Sequence, residues 1–429
     1  MSEYRGYTGA SLTFLKESKV KIGDSVKITE DLTYTGIIMP RYENTDDNHI
    51  AIKLKSGYNI GIEIKKIKKI ELISSEKIEK KSTSEVKSDS TLPKILLLST
   101  GGTIASKIDY RTGAVTPVLS AEDLSAAVPE LAEIANIDAS VLFSEYSENL
   151  EPEHWKQIAE KLDSYAKSDY KGIVVAHGTD TMQYSAAFLS FALAGYPVPI
   201  VLVGSQRSSD RPSSDAALNL ISAVRFVVES NTQGVFVVMH HNESDDLAVA
   251  HLGTRVRKNH TSKRSAFQTI GNDPAFLIFD KKIEQNLKTD FFKQREYNPK
   301  LNFDKHVALV KYHPGYNPKI IDFLIKSGYK AIIFEGTGLG HVGKTMYEYV
   351  KKANESGLFM GMTSQCIDGR VGMNVYESGR DLLELGIIPL SDMIPETALV
   401  KAMWALGNST NAEEMKNLMI QNIASEFSD

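Results

Sequence analysis

Lys94-Ile-Leu-Leu-Leu-Ser-Thr-Gly-Gly-Thr-Ile-Ala105 is the stretch from which the rest of the chain can be read. Its apolar run, Ile95-Leu-Leu-Leu98, reads as a fully buried strand. The run ends in Thr100-Gly101-Gly102-Thr103. Two glycines at a strand end let the backbone turn sharply and approach a ligand closely. They deliver the Thr103 hydroxyl to the mouth of the sheet, where open α/β sheets bind their ligands. A second stretch has the same build: Gly172-Ile-Val-Val-Ala176 is a buried strand, followed by His177-Gly178-Thr179-Asp180-Thr181. Each stretch alone also fits an ordinary turn, since Gly, Thr and Asp are common turn residues. Two strands that both end in Gly-Thr, the second with an added carboxylate, point to a site.

Outward from these strands, apolar segments alternate with helical ones. A helix is predicted over 185–193, ending at Gly195-Tyr-Pro197, then a buried strand Pro199-Ile-Val-Leu-Val203, a polar stretch over 204–215, another helix, and a strand over 234–240. Strand–helix alternation predicts βαβ units and a largely parallel sheet. Val307-Ala-Leu-Val310 and Ala331-Ile-Ile-Phe334 flank a helix over 317–327 and begin a smaller α/β domain, with a further helix over 396–406. Gly336-Thr-Gly338-Leu-Gly340 lacks the full spacing of a dinucleotide fingerprint, which excludes a nicotinamide role.

The chain before Leu92 follows another period. Gly23-Asp-Ser-Val-Lys-Ile28 alternates apolar and polar residues, 33–40 reads as a strand, and Ile50, Ile52 and Leu54 alternate before a turn at Ser56-Gly57. Ile60, Ile62 and Ile64 then alternate again. Period-2 runs with short polar turns are half-buried antiparallel strands, and their number predicts a small SH3-like barrel over 1–73, opened by a short helix or arm within 1–17. Lys65, Lys66, Lys68 and Lys69 make this region locally basic. They read as a solvated strand face that resists edge pairing, in preference to an RNA-phosphate contact, because no aromatic platform for stacking bases lies beside them. A Ser-, Lys- and Glu-rich stretch over 74–91 reads as a flexible linker. The body then divides into a larger domain over 92–290, a polar connection over 291–305 and a smaller domain over 306–429.

Length supports this division: 429 residues predict three domains at about 150 each. The formal net charge of −5 argues against non-specific nucleic-acid binding over the whole surface. Cys366 stands alone, which excludes an internal disulfide, and no Cys or His cluster suggests a metal site; a buried, inert thiol is expected. The N-terminus, Met1-Ser-Glu-Tyr-Arg-Gly6, lacks the basic and apolar regions of a signal peptide. No stretch approaches the roughly 18 apolar residues of a membrane span. These features predict a cytoplasmic protein with no membrane partner.

Thr-Gly-Gly-Thr-Ile-Ala followed by His-Gly-Thr-Asp-Thr resembles the bacterial-type L-asparaginases, amidohydrolases with a threonine nucleophile. The resemblance covers most of 92–429. The first ninety residues are not part of a plain asparaginase, and a body of this kind carrying such a domain resembles the family of D subunits of the archaeal glutamyl-tRNA(Gln) amidotransferases. The implied fold is α/β: an asparaginase-like two-domain body preceded by the small all-β SH3-like barrel. Residue by residue, the resemblance implies Thr103 as nucleophile, with Thr179, Asp180 and Lys258 beside it. Lys258 ends His251-Leu-Gly-Thr-Arg-Val-Arg-Lys258 and matches the family's catalytic lysine, which composition alone does not single out. Tyr110, in the loop Ile108-Asp-Tyr-Arg-Thr-Gly113, matches a tyrosine that sits over the nucleophile; a tyrosine capping a core is the alternative. Ser147-Glu148-Asn149 resembles the family's Ser-Gln-Asp segment, whose first two residues hold the substrate's α-carboxylate and α-amino groups. Glu148 reads equally as an α-ammonium ligand and as a solvated loop acid. The departures at Glu148 and Asn149 mean that a strict preference for asparagine does not carry over.

Deamidation needs a nucleophile, a proton carrier, an oxyanion holder and a grip on the amino acid. A threonine hydroxyl needs a base nearby. Asp180 can orient Lys258 for that role, and backbone N–H groups around Thr179 are candidate oxyanion donors. The residues alone do not choose between Thr103 and Thr179 as first attacker; the resemblance favours Thr103. The resemblance further implies that ammonia from glutamine or asparagine passes to the E subunit of the amidotransferase, which uses ATP and magnesium to convert glutamyl-tRNA(Gln) to glutaminyl-tRNA(Gln). No cofactor is expected in this chain, tRNA(Gln) is contacted mainly through the partner, and a homodimer core gives a heterotetramer. Two other readings stay open at this stage: a free-standing cytoplasmic L-asparaginase with an accessory domain, and an inactive asparaginase-like scaffold for tRNA or protein.

Overall fold

The computed structural model describes residues 4, 6–41, 46–54, 59–75, 91–102, 106–109, 114–117, 128–207, 214–280, 282–288 and 295–428. Helix α1 (Gly9–Glu17) leads into β1 (Ser25–Thr29), β2 (Thr33–Ile38), β3 (His49–Leu54), β4 (Asn59–Glu63) and β5 (Lys69–Ser74). These form one antiparallel five-stranded sheet in the order β4-β3-β2-β1-β5, so the last strand folds back onto the first. The period-2 pattern puts Val26, Ile28, Ile38, Ile50, Ile52 and Ile62 on one buried face, closed by Tyr7, Leu15 and Val20. This is the all-β N-terminal unit that the alternation predicts.

The lysine cluster differs from its expected setting. Lys65 and Lys66 belong to a 3-10 turn, Ile64–Lys66, because the chain must swing from β4 back to β1. Lys66, Lys68 and Lys69 pair with Glu63, Asp31 and Glu71 at 3.1, 2.9 and 2.6 Å. All three lysines are well exposed, so water screens each pair and leaves it little to contribute to stability. The face is solvated, as expected, but only Lys69 stands on a strand, at the start of β5; Lys65, Lys66 and Lys68 lie in the connection before it.

The body opens with β6 (Lys94–Ser99), followed by β7 (Ser106–Asp109), β8 (Ala114–Pro117) and β9 (Asn136–Val141). Then come α2 (Pro152–Asp163), β10 (Gly172–Ala176), α3 (Met182–Ala192), β11 (Ile200–Val203), α4 (Ala216–Glu229) and β12 (Val235–His240). Strands β13 (Leu247–Leu252), β14 (Val256–Lys258), β15 (Phe267–Thr269), β16 (Phe276–Phe279) and β17 (Ile283–Gln285) complete the larger domain. Among the described residues the main sheet has eight strands in the order β17-β16-β13-β12-β11-β10-β6-β9. The run from β9 to β12 is parallel, and β13, β16 and β17 extend it antiparallel. The loop expected over 108–113 begins and ends in structure, since β7 and β8 pair as an antiparallel hairpin; its tip, 110–113, lies outside the described residues. So does most of the linker expected over 74–91.

The smaller domain contains β18 (Val307–Lys311), α5 (Lys319–Lys326), β19 (Ala331–Gly336), α6 (Tyr347–Glu355), β20 (Phe359–Ser364), α7 (Glu377–Glu384), β21 (Ile388–Pro389), α8 (Pro395–Asn408) and α9 (Ala412–Ile420). Its four strands are parallel, in chain order. One core joins the two domains: Leu96, Leu98, Ile173 and Val175 of the large sheet, Phe188 and Phe191 of α3, Ala398 and Trp404 of α8, and Ala331 and Ile333 of the small sheet belong to one buried cluster. Helix α3 is therefore buried on nearly every side, which is why its sequence shows little polar face. Cys366 corrects the expectation of a buried thiol: it lies in the polar loop after β20, past the last packed residue of that strand, and is exposed. Among the described residues no helix is long and apolar enough to cross a membrane, and no group of three or more His, Cys, Asp or Glu is placed to hold a metal ion.

Candidate active site

The site begins where β6 and β10 end. Their parallel register pairs Leu98 with Val175 and Ser99 with Ala176, so the two loops leave the sheet side by side. Thr100 ties them: its backbone N–H and its Oγ1 both donate to the Ala176 carbonyl at 3.0 Å. Gly101 and Gly102 follow at φ 112° and 79°. A Cβ on Gly101 would stand 2.3 Å from the Glu145 carbonyl oxygen, and one on Gly102 would stand 2.8 Å from the Gly178 nitrogen. Left-handed φ and backbone contact together leave room only for glycine. The loop after β6 therefore rests directly on the loop after β10. Thr103 and Tyr110 lie outside the described residues.

Thr179, Asp180 and Lys258 converge. Lys258 Nζ donates to Thr179 Oγ1 at 2.8 Å and to Asp180 Oδ1 at 2.6 Å. The lysine side chain is 11% exposed and the aspartate 65%, so the amine is shielded while its carboxylate partner faces solvent. One nitrogen thus touches both a hydroxyl and the acid that orients it, which is the geometry of a proton carrier. The Lys258 backbone N–H donates to Gln183 Oε1 at 2.7 Å, from a buried position on α3.

Ser147 locks the Thr179 loop from the other side. It is buried on a 3-10 turn, Ser147–Asn149. Its Oγ accepts from the Asp180 N–H at 3.2 Å, and its carbonyl accepts from Thr181 Oγ1 at 2.6 Å. The Asp180 N–H is therefore taken up by Ser147, which removes it from the oxyanion donors expected around Thr179. Glu148 is exposed on the same turn. His177, fully buried, lies behind the loop: its Nδ1 is 2.6 Å from the Gly178 carbonyl, which only an N–H can approach, so Nε2 accepts from Ser185 Oγ at 2.9 Å. Burial pushes the His177 imidazole down to about 4, against the smaller opposing effect of the Gly178 bond. It is a neutral structural group.

Three family models cover the chain: "Asparaginase, N-terminal" over 94–290, "Glutaminase/Asparaginase C-terminal domain" over 306–419 and "GatD N-terminal domain" over 20–73. The D subunit of the glutamyl-tRNA(Gln) amidotransferase of Pyrococcus abyssi is 47% identical over 423 residues, 96% of each chain. That of Pyrococcus furiosus is 48% identical over 424 residues, again 96% of each. The chain belongs to the family of glutamyl-tRNA(Gln) amidotransferase D subunits. The Methanopyrus kandleri member is 44% identical over 439 residues, 100% of this chain and 95% of its own. Among solved structures, the thermostable L-asparaginase from Thermococcus kodakarensis superposes with a TM-score of 0.70 at 32% identity, over 78% of this chain and 99% of that one. L-asparaginase I from Vibrio cholerae gives 0.68 at 26% identity, over 79% and 99%. The D-subunit relatives align over nearly the whole chain and the asparaginases over about four fifths of it, so the reading as a free-standing asparaginase is the less supported one.

Several residues that shape this amidotransferase site gave no signal in the sequence. Gln183 reads as one helix residue among others, yet it holds the Lys258 backbone. Arg257 and Glu396, 139 residues apart, form a two-bonded pair at 2.9 and 2.7 Å beside Lys258. The cue available was the polar run Thr254-Arg-Val-Arg-Lys258, which is unusual beside an otherwise apolar strand.

Proposed function

We propose that this chain is the ammonia-releasing subunit of a tRNA-dependent amidotransferase, hydrolysing the side-chain amide of glutamine or asparagine. The contact of Lys258 Nζ with Thr179 Oγ1 and Asp180 Oδ1 is the observation that carries this reading. In the proposed reaction the Thr103 Oγ bonds to the carboxamide carbon, and its proton moves through Thr179 and Lys258 to the leaving nitrogen. Ammonia departs, and water then cleaves the threonyl ester to release the acid. Asp180 holds Lys258 in line throughout. Ser147 Oγ, which accepts from Asp180, keeps its own O–H to donate to the substrate's α-carboxylate. Glu148, exposed one residue on, faces the α-ammonium group. Tyr110 closes over the nucleophile.

The ammonia passes to the E subunit of the amidotransferase, which with ATP and magnesium converts glutamyl-tRNA(Gln) to glutaminyl-tRNA(Gln). This chain holds no cofactor, contacts tRNA(Gln) mainly through that partner, and forms the homodimer core of a heterotetramer in the cytoplasm. The test measures ammonia release from glutamine by the chain alone, then with the E subunit and glutamyl-tRNA(Gln). Release that rises on adding both supports the reading. Strong release that ignores them points to a free-standing asparaginase, and none in either condition points to a scaffold. Thr103→Val is expected to abolish release without unfolding the chain.

A further inference from the structure

Lys258 is held from far outside its own strand. Thr254 Oγ1 donates to the Ala424 carbonyl at 2.8 Å. Arg255 Nε donates to the Ser425 carbonyl at 2.8 Å, and its Nη1 to Asp392 Oδ2 at 3.1 Å. Thr254 and Arg255 are each 1% exposed. Thr397 Oγ1 on α8 returns a bond to the Thr254 carbonyl at 2.7 Å. The acceptors on Ala424 and Ser425 lie in a strap, residues 421–428, that crosses the larger domain. A buried ion pair fastens that strap. Lys401 Nζ donates to the Met419 and Gln421 carbonyls at 3.0 and 2.6 Å and to Glu426 Oε1 at 2.5 Å, with both side chains 0% exposed. The Glu426 carboxylate accepts from the Ile423 and Ala424 N–H groups, and the Ser428 N–H donates to Asp392.

A buried ion pair is weak evidence for stability, because the desolvation of two charges offsets most of their attraction; its better-attested use is to hold one geometry against others. The geometry at stake is that of β14. This strand has three residues and pairs with the equally short β15, so its own ladder fixes it loosely. The bonds from Thr254 and Arg255 pin the residues directly before it.

We propose that Arg255, together with the strap that carries its acceptor, is a positioning residue that sets where Lys258 Nζ stands against Thr179 and Asp180. The proposal rests on the reading of Lys258 as proton carrier. Glutamine hydrolysis by full-length Arg255→Gln, Arg255→Lys and Thr254→Val is compared with Lys258→Ala, well below each melting point, with kcat per folded protein and KM followed separately. A displacement of about 1 Å costs on the order of a hundredfold, so Arg255→Gln is expected to lose about that much kcat with KM changed by less than about twofold. Arg255→Lys recovers part of the rate. Thr254→Val, nearly isosteric, loses one bond and about tenfold in rate, and it carries the test if Arg255→Gln does not fold. Variants that melt earlier but keep the parent kcat overturn the positioning role. Parent kcat in Lys258→Ala instead overturns the reading of Lys258 itself.

Discussion

Gly102 and Gly178 pack backbone on backbone, with no room for a side chain on Gly102: a Cβ there would lie 2.8 Å from the Gly178 nitrogen. This contact joins the loop that leads to Thr103 with the loop that carries Thr179. Gly102→Ala is expected to weaken both the fold and the activity. A left-handed φ of 79° costs an alanine about 1–2 kcal/mol, and relieving the clash adds to this. Thermal unfolding should show a melting point lower by at least a few degrees. Glutamine hydrolysis should fall by more than the folded fraction does, since the two hydroxyl-bearing loops separate.

Lys258 bridges Thr179 and Asp180, so each of the three is expected to matter for rate more than for folding. Positioned proton transfer contributes about 10²–10⁴-fold, and Lys258→Ala should lose a factor in that range. Asp180→Asn keeps the shape and removes the charge; its loss should appear in kcat. Steady-state ammonia release checks both. An Asp180→Asn protein that turns over glutamine at the parent rate would exclude the carboxylate from the relay.

Burial lowers His177 to about 4, and burial with the nearby His241 lowers His251 to about 3, both from 6.5. Each is neutral when folded and takes up a proton when unfolded, so between these values the unfolded chain binds more protons. Stability is then fully present above about pH 6.5 and declines as the pH falls towards 4, by about 3 kcal/mol for His177 alone. The melting point should be level near pH 7–8 and drop steadily across that window. His177→Gln, referred to its own value at pH 7.5, should show a shallower drop. An equal slope in that variant would mean that other groups govern the acid response.

Lys66, Lys68 and Lys69 each have a carboxylate partner on the N-terminal sheet. If they do not meet phosphates, a Lys66→Ala/Lys68→Ala/Lys69→Ala protein keeps the parent salt dependence of tRNA-dependent amidation. A phosphate contact at each would lower the slope of log affinity on log salt by about 2–3. Measuring that slope from low to moderate salt decides the matter.

How far the sequence reaches can be seen residue by residue. The buried strands β6 and β10 were legible because a strand covered on both faces is a continuous apolar run, and the half-buried strands near Val26 and Ile50 because one covered face imposes period 2. The glycines after β6 were legible because a turn without a Cβ leaves its mark in composition. These features depend on near neighbours along the chain. Lys258 depends on none of them. It meets Thr179 across 79 residues, and without the family resemblance it is one lysine among many. Ser147, Gln183, Arg255 and Glu396 are alike in this respect, since a polar side chain's partner is set by which strand ends the fold brings together. Cys366 and Lys66 went astray for the same reason: local pattern gives a residue's period, whereas exposure and turn geometry depend on how the next element must travel to pack. The sequence by itself thus determined the two strands that lead into the site, the period of the N-terminal sheet and the kind of chemistry on offer. Only the tertiary structure decided that an amine from one strand and a hydroxyl and a carboxylate from a distant loop would share one contact, because that requires the chain crossings that bury the core between them.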